Sequence, residues 1–551
     1  MKLHAALARA LAGHGVHTMF GLIGDANMFF VHSFTEDGGD YVAAAHEASA
    51  MFMGFGYASL TGELGVVTVT HGPALTNTLT GLVEGVRARV PMLLIAGDTA
   101  TTSRTNVQDI AQRDVVLPTG AGFEQARTPE TALADLAVAI RQAVIESRPV
   151  VFNVPSDFMW RDVEYADVPL NLPEPQRIAP DPAAVRRAAR EIATARRPVV
   201  LAGRGAIEAR EQVLRLAERI GAPVATTLKA KDLFRGEKFD LEIAGGLSGP
   251  VTTAVFEEAD LIIAVGAGLN AYTTRNGALL KGKRLITINL DKSVATSAGV
   301  TGGAATGGAA TGGVAAGGGT TVIGDAAVAV DALVDALTSE PSGFRTEEMA
   351  AALAGQRVMG ERPQTAPGTV DVETALRRLD EILPERRVVV SDGGRFMMES
   401  FRHLRPSDPR SYVLPLNFGS IGMGMGAAVG AAAGRRDEAV IMVAGDGGFM
   451  HGGLAEFATA ARYGLDLIVV LCNDSSYGAE HIQFVNRGLD PSLSLFAWPE
   501  MAPLAEALGG EGVTVRSEED LDLAAKAIAN RTRPLLIDLR LDVHHMSAMP
   551  H

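Results

Sequence analysis

The sequence predicts an α/β fold of three domains, each built on a doubly wound parallel sheet. Short runs of valine, isoleucine and leucine recur along the chain, and helix-like stretches separate them. The runs are apolar throughout rather than alternating, which is typical of strands buried on both faces of a parallel sheet. Strands that alternate with helices indicate βαβ units. Two proline-containing linkers then divide the chain into segments of ordinary domain size.

The strand pattern and the linkers give the domain boundaries. The clearest strand runs are residues 65–70, 91–96, 150–154, 199–202, 261–265, 285–290, 388–391, 439–444, 467–472 and 535–539. One linker, residues 168–182, contains five prolines, and the other, residues 339–369, is polar and contains three. We therefore expect domains at residues 1–168, 183–338 and 370–545.

A low-complexity segment interrupts the second domain. Residues 301–319 read TGGAATGGAATGGVAAGGG, a five-residue repeat of glycine, alanine and threonine. Such a segment buries too little apolar surface to offset the entropy lost on ordering it. We predict a flexible surface insertion, and a hinge or lid is the alternative.

The composition excludes several classes of partner. The 551 residues carry a formal net charge of −15, and an acidic surface disfavours nucleic acids and anionic membranes. A single cysteine, Cys472, rules out an intramolecular disulfide and a cysteine-based metal site. Residues 1–15 predict an amphipathic helix rather than a signal peptide. The glycine- and alanine-rich run 421–434 favours a buried helix over a membrane span. We expect a cytoplasmic protein with a small-molecule substrate.

A glycine-rich turn follows one strand of the third domain. Gly445-Asp446-Gly447-Gly448 stands between the strand at 439–444 and a helical pattern at 454–463. Such a turn brings backbone N–H groups and a helix N-terminus close to a phosphate. Asp446 adds a hard oxygen ligand of the kind that Mg²⁺ prefers.

The next strand of this domain ends in a second polar turn. Residues 473–478 read NDSSYG, and they follow the strand at 467–472. Neighbouring parallel strands end at the same edge of a sheet, where α/β proteins bind ligands. Asp446 and Asp474 lie 28 positions apart, which suits one helix, one strand and two turns.

Together the two turns resemble the diphosphate-binding motif of thiamine-diphosphate-dependent enzymes, a GDG followed by an Asn-Asn-like pair. The resemblance implies that Asp446 and Asp474 bind Mg²⁺ through their side chains and Ser476 through its carbonyl, with Asn473 as the alternative ligand. Asp474 stands where the family usually has asparagine, and two carboxylates would hold the cation harder.

The same resemblance places further residues at the cofactor, namely Gly394, Arg395, Ser420, Ile421, Gly445, Gly447, Gly448, Tyr477 and Gly478. Ile421 matches the bulky apolar residue that props the cofactor in its bent form, and plain packing is the alternative. The gap between the two turns is about one residue longer than usual, near residues 451–453. We therefore expect the loop over the diphosphate to differ.

The first domain resembles the pyrimidine-binding domain of this superfamily. His46-Glu47 opens a helix of small residues that ends in GYA at 56–58, and residues 70–77 read THGPALTN. The resemblance makes Glu47 the acid that activates the aminopyrimidine by a hydrogen bond to a ring nitrogen. It also places Asn77 at the cofactor. Because apolar residues follow Glu47, we expect its side chain to be buried.

A loop upstream of Glu47 carries a candidate substrate acid. Residues 20–27 read FGLIGDAN and resemble the family's FGxPG loop, which places Gly24 at the cofactor. Asp25 and Glu480 match two acids of the pyruvate-decarboxylase branch. Paired acids that share a proton suit the loss of CO₂ followed by protonation. An ordinary turn role for Asp25 is the alternative.

Other features resemble the acetolactate-synthase branch. The His-His pair of the decarboxylase branch is absent from residues 106–113, where Gln108 or Gln112 resembles the synthase glutamine. Gln112 is therefore a catalytic candidate. His71 is expected to be a neutral hydrogen-bond donor near the substrate carbonyl, and a core or helix-start role is the alternative.

The middle domain carries weaker signals. Gly203-Arg204-Gly205 resembles half of a nucleotide-binding turn, whereas residues 266–270 lack the pattern of the flavin-binding branch. We expect no FAD, and CoA binding stays open.

The resemblance implies an enzyme that uses thiamine diphosphate and Mg²⁺ to cleave a C–C bond next to a carbonyl, and formation of such a bond stays open. A 2-oxo acid decarboxylase or carboligase, similar to acetolactate synthase, fits these residues. The family's active sites lie at subunit interfaces, which implies a homodimer or homotetramer. The alternatives are a lyase of 2-hydroxyacyl-CoA or an acyloin, and a non-catalytic paralogue that only binds cofactor. The intact Glu47 counts against the last.

Overall fold

The computed structural model describes residues 1–292, 319–338, 343–356 and 365–545. These residues form three six-stranded sheets with parallel strand pairs, and helices connect successive strands. This arrangement confirms the predicted α/β fold of three doubly wound sheets. Short 3₁₀ turns are also present, at Leu117–Thr119, Ser156–Phe158, Arg204–Ala209, Leu228–Ala230, Ala278–Leu280, Pro409–Ser411 and Ser492–Ser494.

The first sheet lies in the N-terminal part of the chain. Its strands are β1 (Thr18–Gly21), β2 (Asp40–Ala43), β3 (Gly65–Val69), β4 (Met92–Asp98), β5 (Gly122–Gln125) and β6 (Pro149–Pro155). Its helices are Leu3–Gly13, Met28–Glu36, Glu47–Thr61, Pro73–Asn77, Leu79–Ala88, Gln112–Val116 and Ala132–Glu146. The strand order β2-β1-β3-β4-β6-β5 places the carboxyl ends of β2, β1 and β3 side by side.

The second sheet has the order β12-β11-β10-β7-β8-β9. Its strands are β7 (Pro198–Ala202), β8 (Val224–Thr226), β9 (Asp240–Ile243), β10 (Leu261–Val265), β11 (Arg284–Asn289) and β12 (Gly319–Ile323). Its helices are Pro182–Ala193, Arg210–Arg219, Pro250–Glu258, Ala271–Thr274, Ala326–Ala336 and Glu347–Gln356. Residues 301–318 of the predicted insertion lie outside the described residues, and Gly319 is the first residue of β12.

The third sheet has the order β14-β13-β15-β16-β18-β17. Its strands are β13 (Arg387–Ser391), β14 (Tyr412–Val413), β15 (Ala439–Gly445), β16 (Leu467–Asn473), β17 (Glu511–Val515) and β18 (Leu535–Arg540). Its helices are Val372–Ile382, Met397–His403, Gly424–Gly434, Asp446–Gly448, Leu454–Arg462, Gly478–Asn486, Met501–Ala507 and Leu521–Asn530. The carboxyl ends of β13, β15 and β16 are therefore neighbours.

The described residues divide into two compact units. One unit contains the first sheet together with the third sheet, except for residues 408–412, and the other contains the second sheet. The division between Pro173 and Glu174 falls within the proline-containing segment 168–182. Three separate domains remain our proposal for the chain.

Two helices made largely of small residues join the first and third sheets within their unit. A Cβ on Gly56 would lie 2.0 Å from the carbonyl oxygen of Ala427, and one on Gly430 would lie 1.9 Å from that of Met53. The backbones of Glu47–Thr61 and Gly424–Gly434 thus approach too closely for any larger residue there. The run 421–434 is a buried helix from residue 424 onward, as predicted. None of the helices in the described ranges has the length and apolar character that crossing a bilayer requires.

Candidate active site

Two buried carboxylates lie at the carboxyl ends of β15 and β16. Asp446 follows β15 directly, and Asp474 follows β16. Burial raises the pKa of Asp446, and the nearby Asp474 carboxylate raises it further. Burial also raises the pKa of Asp474, while hydrogen bonds from Ser476 and the charge of Arg395 lower it. Two buried acids repel each other when both are ionised, and a bound divalent cation would offset that repulsion.

The loop after β16 distinguishes the two candidate ligands in it. Asp474 Oδ1 accepts hydrogen bonds from the backbone N–H and hydroxyl of Ser476, at 3.0 and 2.8 Å. The Ser476 carbonyl oxygen lies 3.6 Å from where a Cβ on Gly447 would be, so it faces the glycine-rich turn. The Asn473 side chain instead donates to Asp538 at 2.8 Å, and its oxygen accepts a hydrogen bond from the backbone of Ser475. The geometry therefore favours Asp474 over Asn473 as a metal ligand.

The groups in this region fit a hard cation and a diphosphate. Asp446 Oδ1 and Ser420 Oγ are buried and have no hydrogen-bond partner among the described residues. Gly447 leaves no room for a side chain, since its Cβ would lie 2.5 Å from the Tyr477 ring. Carboxylate and carbonyl oxygens are the ligands that Mg²⁺ prefers, and a helix N-terminus favours phosphate. The residues present therefore fit Mg²⁺ and thiamine diphosphate.

The segment after the glycine-rich turn, where the sequence predicts an extra residue, is helical. The chain is helical through three consecutive segments, Asp446–Gly448, Phe449–Gly453 and Leu454–Arg462, and the middle segment is π-helical. A π turn is a bulge within a helix, and such turns are frequent at functional sites. The segment near residues 451–453 is thus a widened helical turn, and its expected difference from the family stays a prediction.

A third buried acid, Asp392, lies directly after β13. Its carboxylate accepts backbone hydrogen bonds from Gly393 at 2.8 Å and from Gly422 at 2.9 Å. Its Oδ2 also lies 3.1 Å from where a Cβ on Gly448 would be. Burial raises the pKa of Asp392 to about 7. Asp392 thus links the turn after β13, the turn at 420–422 and the turn after β15.

The other predicted cofactor residues lie on the same turns. Arg395 is buried beside Asp474, and its Nη1 donates to the carbonyl of Val543 at 2.9 Å. A Cβ on Gly478 would lie 2.8 Å from Asp474 Oδ2. Ile421 is 39% exposed and lies against Gly393, which leaves part of its side chain open to a ligand. The remaining predicted residues on these turns are Gly394, Ser420, Gly445 and Tyr477.

Glu47 begins the helix that follows β2. Its Oε2 accepts a hydrogen bond from Asn77 Nδ2 at 3.0 Å, so two predicted cofactor residues meet. Ser49 and the next residues of the helix are buried, whereas Glu47 is half-buried and Asn77 is exposed. The expected burial of Glu47 is therefore only partial in the single chain, because the first turn of the helix lies at the surface.

Glu456, from the helix Leu454–Arg462, holds the start of the Glu47 helix. Its Oε1 accepts backbone hydrogen bonds from Ala45 at 3.0 Å and His46 at 3.2 Å. It is almost fully buried, and burial raises its pKa. His46 in turn caps the helix by accepting from the backbone of Ala48. Nothing in the local sequence of Glu456 signals this contact, because its partners lie more than 400 positions away.

Asp25 and His71 meet across the ends of β1 and β3. The Thr70 hydroxyl donates to Asp25 Oδ1 at 2.7 Å, and His71 Nδ1 lies 3.2 Å from the same hydroxyl and 3.9 Å from Asp25 Oδ1. Because the Thr70 proton points to Asp25, we assign the His71 proton to Nδ1. His71 Nε2 is buried and has no partner among the described residues. In this tautomer the neutral ring accepts a hydrogen bond at Nε2, and the predicted neutral donor at Nε2 requires the other tautomer. Gly24 lies on the same loop, against Thr70.

The other two catalytic candidates differ from each other in their surroundings. Gln112 is buried: its Oε1 accepts from the backbone of Gly72 at 2.8 Å, and its Nε2 donates to Gly97 and Asn153. This amide has no free group, so a role for Gln112 in catalysis would act through the His71 loop that it holds. Glu480 lies in the first turn of the helix Gly478–Asn486 and is exposed. Its role stays a prediction.

A buried glutamate on the helix Leu79–Ala88 fixes the segment that precedes the Ser420 turn. Glu84 is fully buried and accepts hydrogen bonds from the backbone and amide of Asn417, at 3.0 and 2.6 Å, and from the backbone of Phe418, at 2.7 Å. Arg87, one turn later, lies over the Phe418 ring. We call Glu84 and Arg87 the 417–418 clamp. Sequence reasoning did not identify it.

Replacing Glu84 with alanine should destabilise the protein by about 3 kcal/mol, because three donor groups of Asn417 and Phe418 lose a fully buried acceptor. Thermal unfolding should show a lower Tm, and limited proteolysis should cut faster near residues 414–420. Glu36→Ala is the control, since Glu36 is exposed and pairs with the equally exposed His32, and its loss should change stability by less than about 0.5 kcal/mol. Equal effects of the two substitutions would contradict the clamp.

The glycine turns of the second sheet pack against each other. They follow β7 and β10, between which the strand order reverses, and such a position often binds ligands. Gly203 N donates to the carbonyl of Val265 at 2.8 Å, and Gly205 N donates to that of Gly266 at 3.0 Å. A Cβ on Gly203 would lie 2.3 Å from Ala267 Cα, so backbone fills the space between the turns. The expected lack of FAD binding in this domain stays a prediction, and CoA binding stays open.

Three family models match successive parts of the chain. They are described as the N-terminal TPP binding domain, the central domain and the C-terminal TPP binding domain of thiamine pyrophosphate enzymes, and they match residues 1–116, 185–302 and 392–539. The first segment contains Glu47. The second contains the glycine turns of the second sheet, and the third contains the buried carboxylates of the third sheet.

Curated relatives match the chain along nearly its whole length. A protein named "Probable 2-ketoarginine decarboxylase" from Pseudomonas aeruginosa is 29% identical and covers 94% of this chain and 89% of its own. A sulfoacetaldehyde acetyltransferase from Alcaligenes xylosoxydans is 27% identical, with 94% and 88% covered. An acetolactate synthase large subunit from Parasynechococcus marenigrum is 28% identical, with 98% and 87% covered.

Proposed function

Because the chain belongs to the thiamine-diphosphate-dependent enzymes, and is an enzyme of their decarboxylase or carboligase type, we propose that it acts on a 2-oxo acid and uses Mg²⁺. The group formed by Asp25, Thr70 and His71 carries the proposal. It lies at the ends of β1 and β3, and β1 is the neighbour of β2, the strand that precedes Glu47. A carboxylate and a buried imidazole near the activating acid suit a reaction that releases CO₂ and then delivers a proton.

Each residue has one task in this proposal. When bound, thiamine diphosphate supplies the electron sink for the electron pair of the broken C–C bond. Asp446, Asp474 and the Ser476 carbonyl hold the cation, and Glu47 holds a proton at the pyrimidine ring nitrogen. His71 Nε2 and Asp25 move the proton that replaces the departing carboxylate. In carboligation a second carbonyl compound would take the place of that proton.

We also propose that a second copy of the chain covers Glu47. An acid that must keep its proton at neutral pH needs a dry environment, yet Glu47 is half-buried and its partner Asn77 is exposed in the single chain. A homodimer, or a homotetramer built from such dimers, would close this surface and place the active site between subunits. A light-scattering mass equal to that of one chain would contradict this.

Removal of the cofactor tests the proposed function. The protein should be dialysed with a chelator, and CO₂ release should be measured on a panel of 2-oxo acids. We expect activity to disappear and to return only when Mg²⁺ and thiamine diphosphate are both restored. Activity that survives the removal would rule out the cofactor's role. Cleavage of an acyloin or a 2-hydroxyacyl-CoA without CO₂ release from any 2-oxo acid would rule out the substrate class.

A further inference from the structure

Asp446 has a partner that the sequence does not predict. The indole Nε1 of Trp498 donates a hydrogen bond to Asp446 Oδ2 at 2.6 Å. The other oxygen, Oδ1, is buried and has no hydrogen-bond partner in the part of the chain that the structure describes. The two oxygens therefore have different environments. One is held by the indole, and the other is left for a ligand.

The segment that carries Trp498 also holds the second ligand loop. We call residues 494–498 the Trp498 segment. The backbone N–H of Tyr477 donates to the backbone carbonyl of Ser494 at 2.9 Å. The backbone N–H of Phe496 donates to the backbone carbonyl of Ser475, also at 2.9 Å. Ser476 and Leu495 form an antiparallel bridge between these bonds. The Trp498 segment thus runs antiparallel to the loop that contains Asp474 and Ser476.

Three aromatic rings complete the connection. Trp498 stacks on Phe496, with ring centroids 4.7 Å apart and an angle of 17° between the planes. Phe496 meets Tyr477 edge to face, also at 4.7 Å. The Tyr477 ring packs on Gly447, next to Asp446. The rings and the indole hydrogen bond therefore fix the two ligand turns relative to each other.

We propose that Trp498 is a positioning residue for the divalent cation. It fixes the rotation of the Asp446 carboxylate through Oδ2, so that Oδ1 is directed to the space shared with Asp474 and the Ser476 carbonyl. A carboxylate held in this way loses less freedom when it binds a metal, and partners of metal ligands typically contribute 10- to 100-fold to affinity. This inference rests on the proposed Mg²⁺ site.

Trp498→Phe removes the indole N–H and keeps an aromatic ring on Phe496. Isothermal titration of thiamine diphosphate at graded Mg²⁺ concentrations should show a half-saturating Mg²⁺ concentration raised by about 10-fold, with kcat at saturating Mg²⁺ close to that of the parent. Trp160→Phe is the matched control, because Trp160 lies in the first domain against Phe29 and should leave the Mg²⁺ dependence unchanged. A lower Tm with an unchanged Mg²⁺ dependence would reduce Trp498 to a packing role and overturn the proposal.

A second measurement does not require a change at Trp498. The chain has two tryptophans, so the Trp160→Phe protein reports the emission of Trp498 alone. We expect its emission to shift when Mg²⁺ and thiamine diphosphate are added together, and an unchanged spectrum despite binding would overturn the proposal. If the parent protein binds neither Mg²⁺ nor thiamine diphosphate, the proposed function fails. If the parent binds both and Trp498→Phe binds them equally well, only this inference fails.

Discussion

Replacing Glu47 with glutamine should lower kcat by roughly two to four orders of magnitude, which is the usual contribution of a positioned acid or base. Glutamine has nearly the same shape and keeps an oxygen that can accept from Asn77, so the local structure should be preserved. It has no titratable proton to share with the pyrimidine nitrogen. The loss should therefore appear in the chemical step and leave cofactor affinity almost unchanged.

Two measurements separate this effect from misfolding. Exchange of the bound cofactor's C2 proton with deuterium, followed by NMR, should slow by a factor similar to the loss in kcat. Titration calorimetry should show thiamine diphosphate binding within a few-fold of the parent. Glu47→Asp, which keeps the acid on a shorter side chain, should lie between the parent and Glu47→Gln. Full activity in Glu47→Gln would mean that another acid activates the cofactor.

The core strands could be predicted from the sequence, and the sheet edges could not. The named apolar runs correspond to interior strands such as β3, β4, β15 and β16, whose residues are buried on both faces. The edge strands β2, β5, β9, β12, β14 and β17 were not among those runs. An edge strand has one unpaired side and often exposed residues, so it lacks a continuous apolar pattern. Two interior strands were also missed, namely β1 with four residues and β8 with three.

The candidate site shows a similar division. Asp25, Glu47, Asp446 and Asp474 stand next to strand ends, where local sequence reveals position, and their motifs resemble those of a known family. Glu84, Glu456 and Trp498 contact these regions from distant parts of the chain. Their contacts depend on how helices and long loops pack in three dimensions. A single sequence contains no local pattern that reveals such contacts. The chain has two tryptophans, but that rarity does not show what Trp498 contacts.

Replacing Asp446 with alanine should abolish joint binding of Mg²⁺ and thiamine diphosphate, with at least about a hundred-fold loss in affinity. Even partners of metal ligands are worth 10- to 100-fold, and Asp446 is the proposed ligand itself.

Asp474→Asn should act differently, because asparagine is the residue that the family usually has there. Its Oδ1 can still accept from Ser476, and the repulsion between two buried carboxylates is removed. We expect a higher Tm without cation, a smaller gain in Tm on adding Mg²⁺, and retained activity.

The Glu47→Gln and Asp446→Ala variants together also test whether the active site lies within one chain or between two. Glu47→Gln chains and Asp446→Ala chains, unfolded and refolded together, should form mixed dimers as well as the two parental kinds. If each site takes Glu47 from one chain and Asp446 from the other, a mixed dimer has one intact site, and an equal mixture should recover about a quarter of the parent activity. If both residues act within one chain, no mixed dimer has an intact site and no activity returns. The parent protein taken through the same refolding is the control, and the expected quarter is a fraction of the activity that this control recovers.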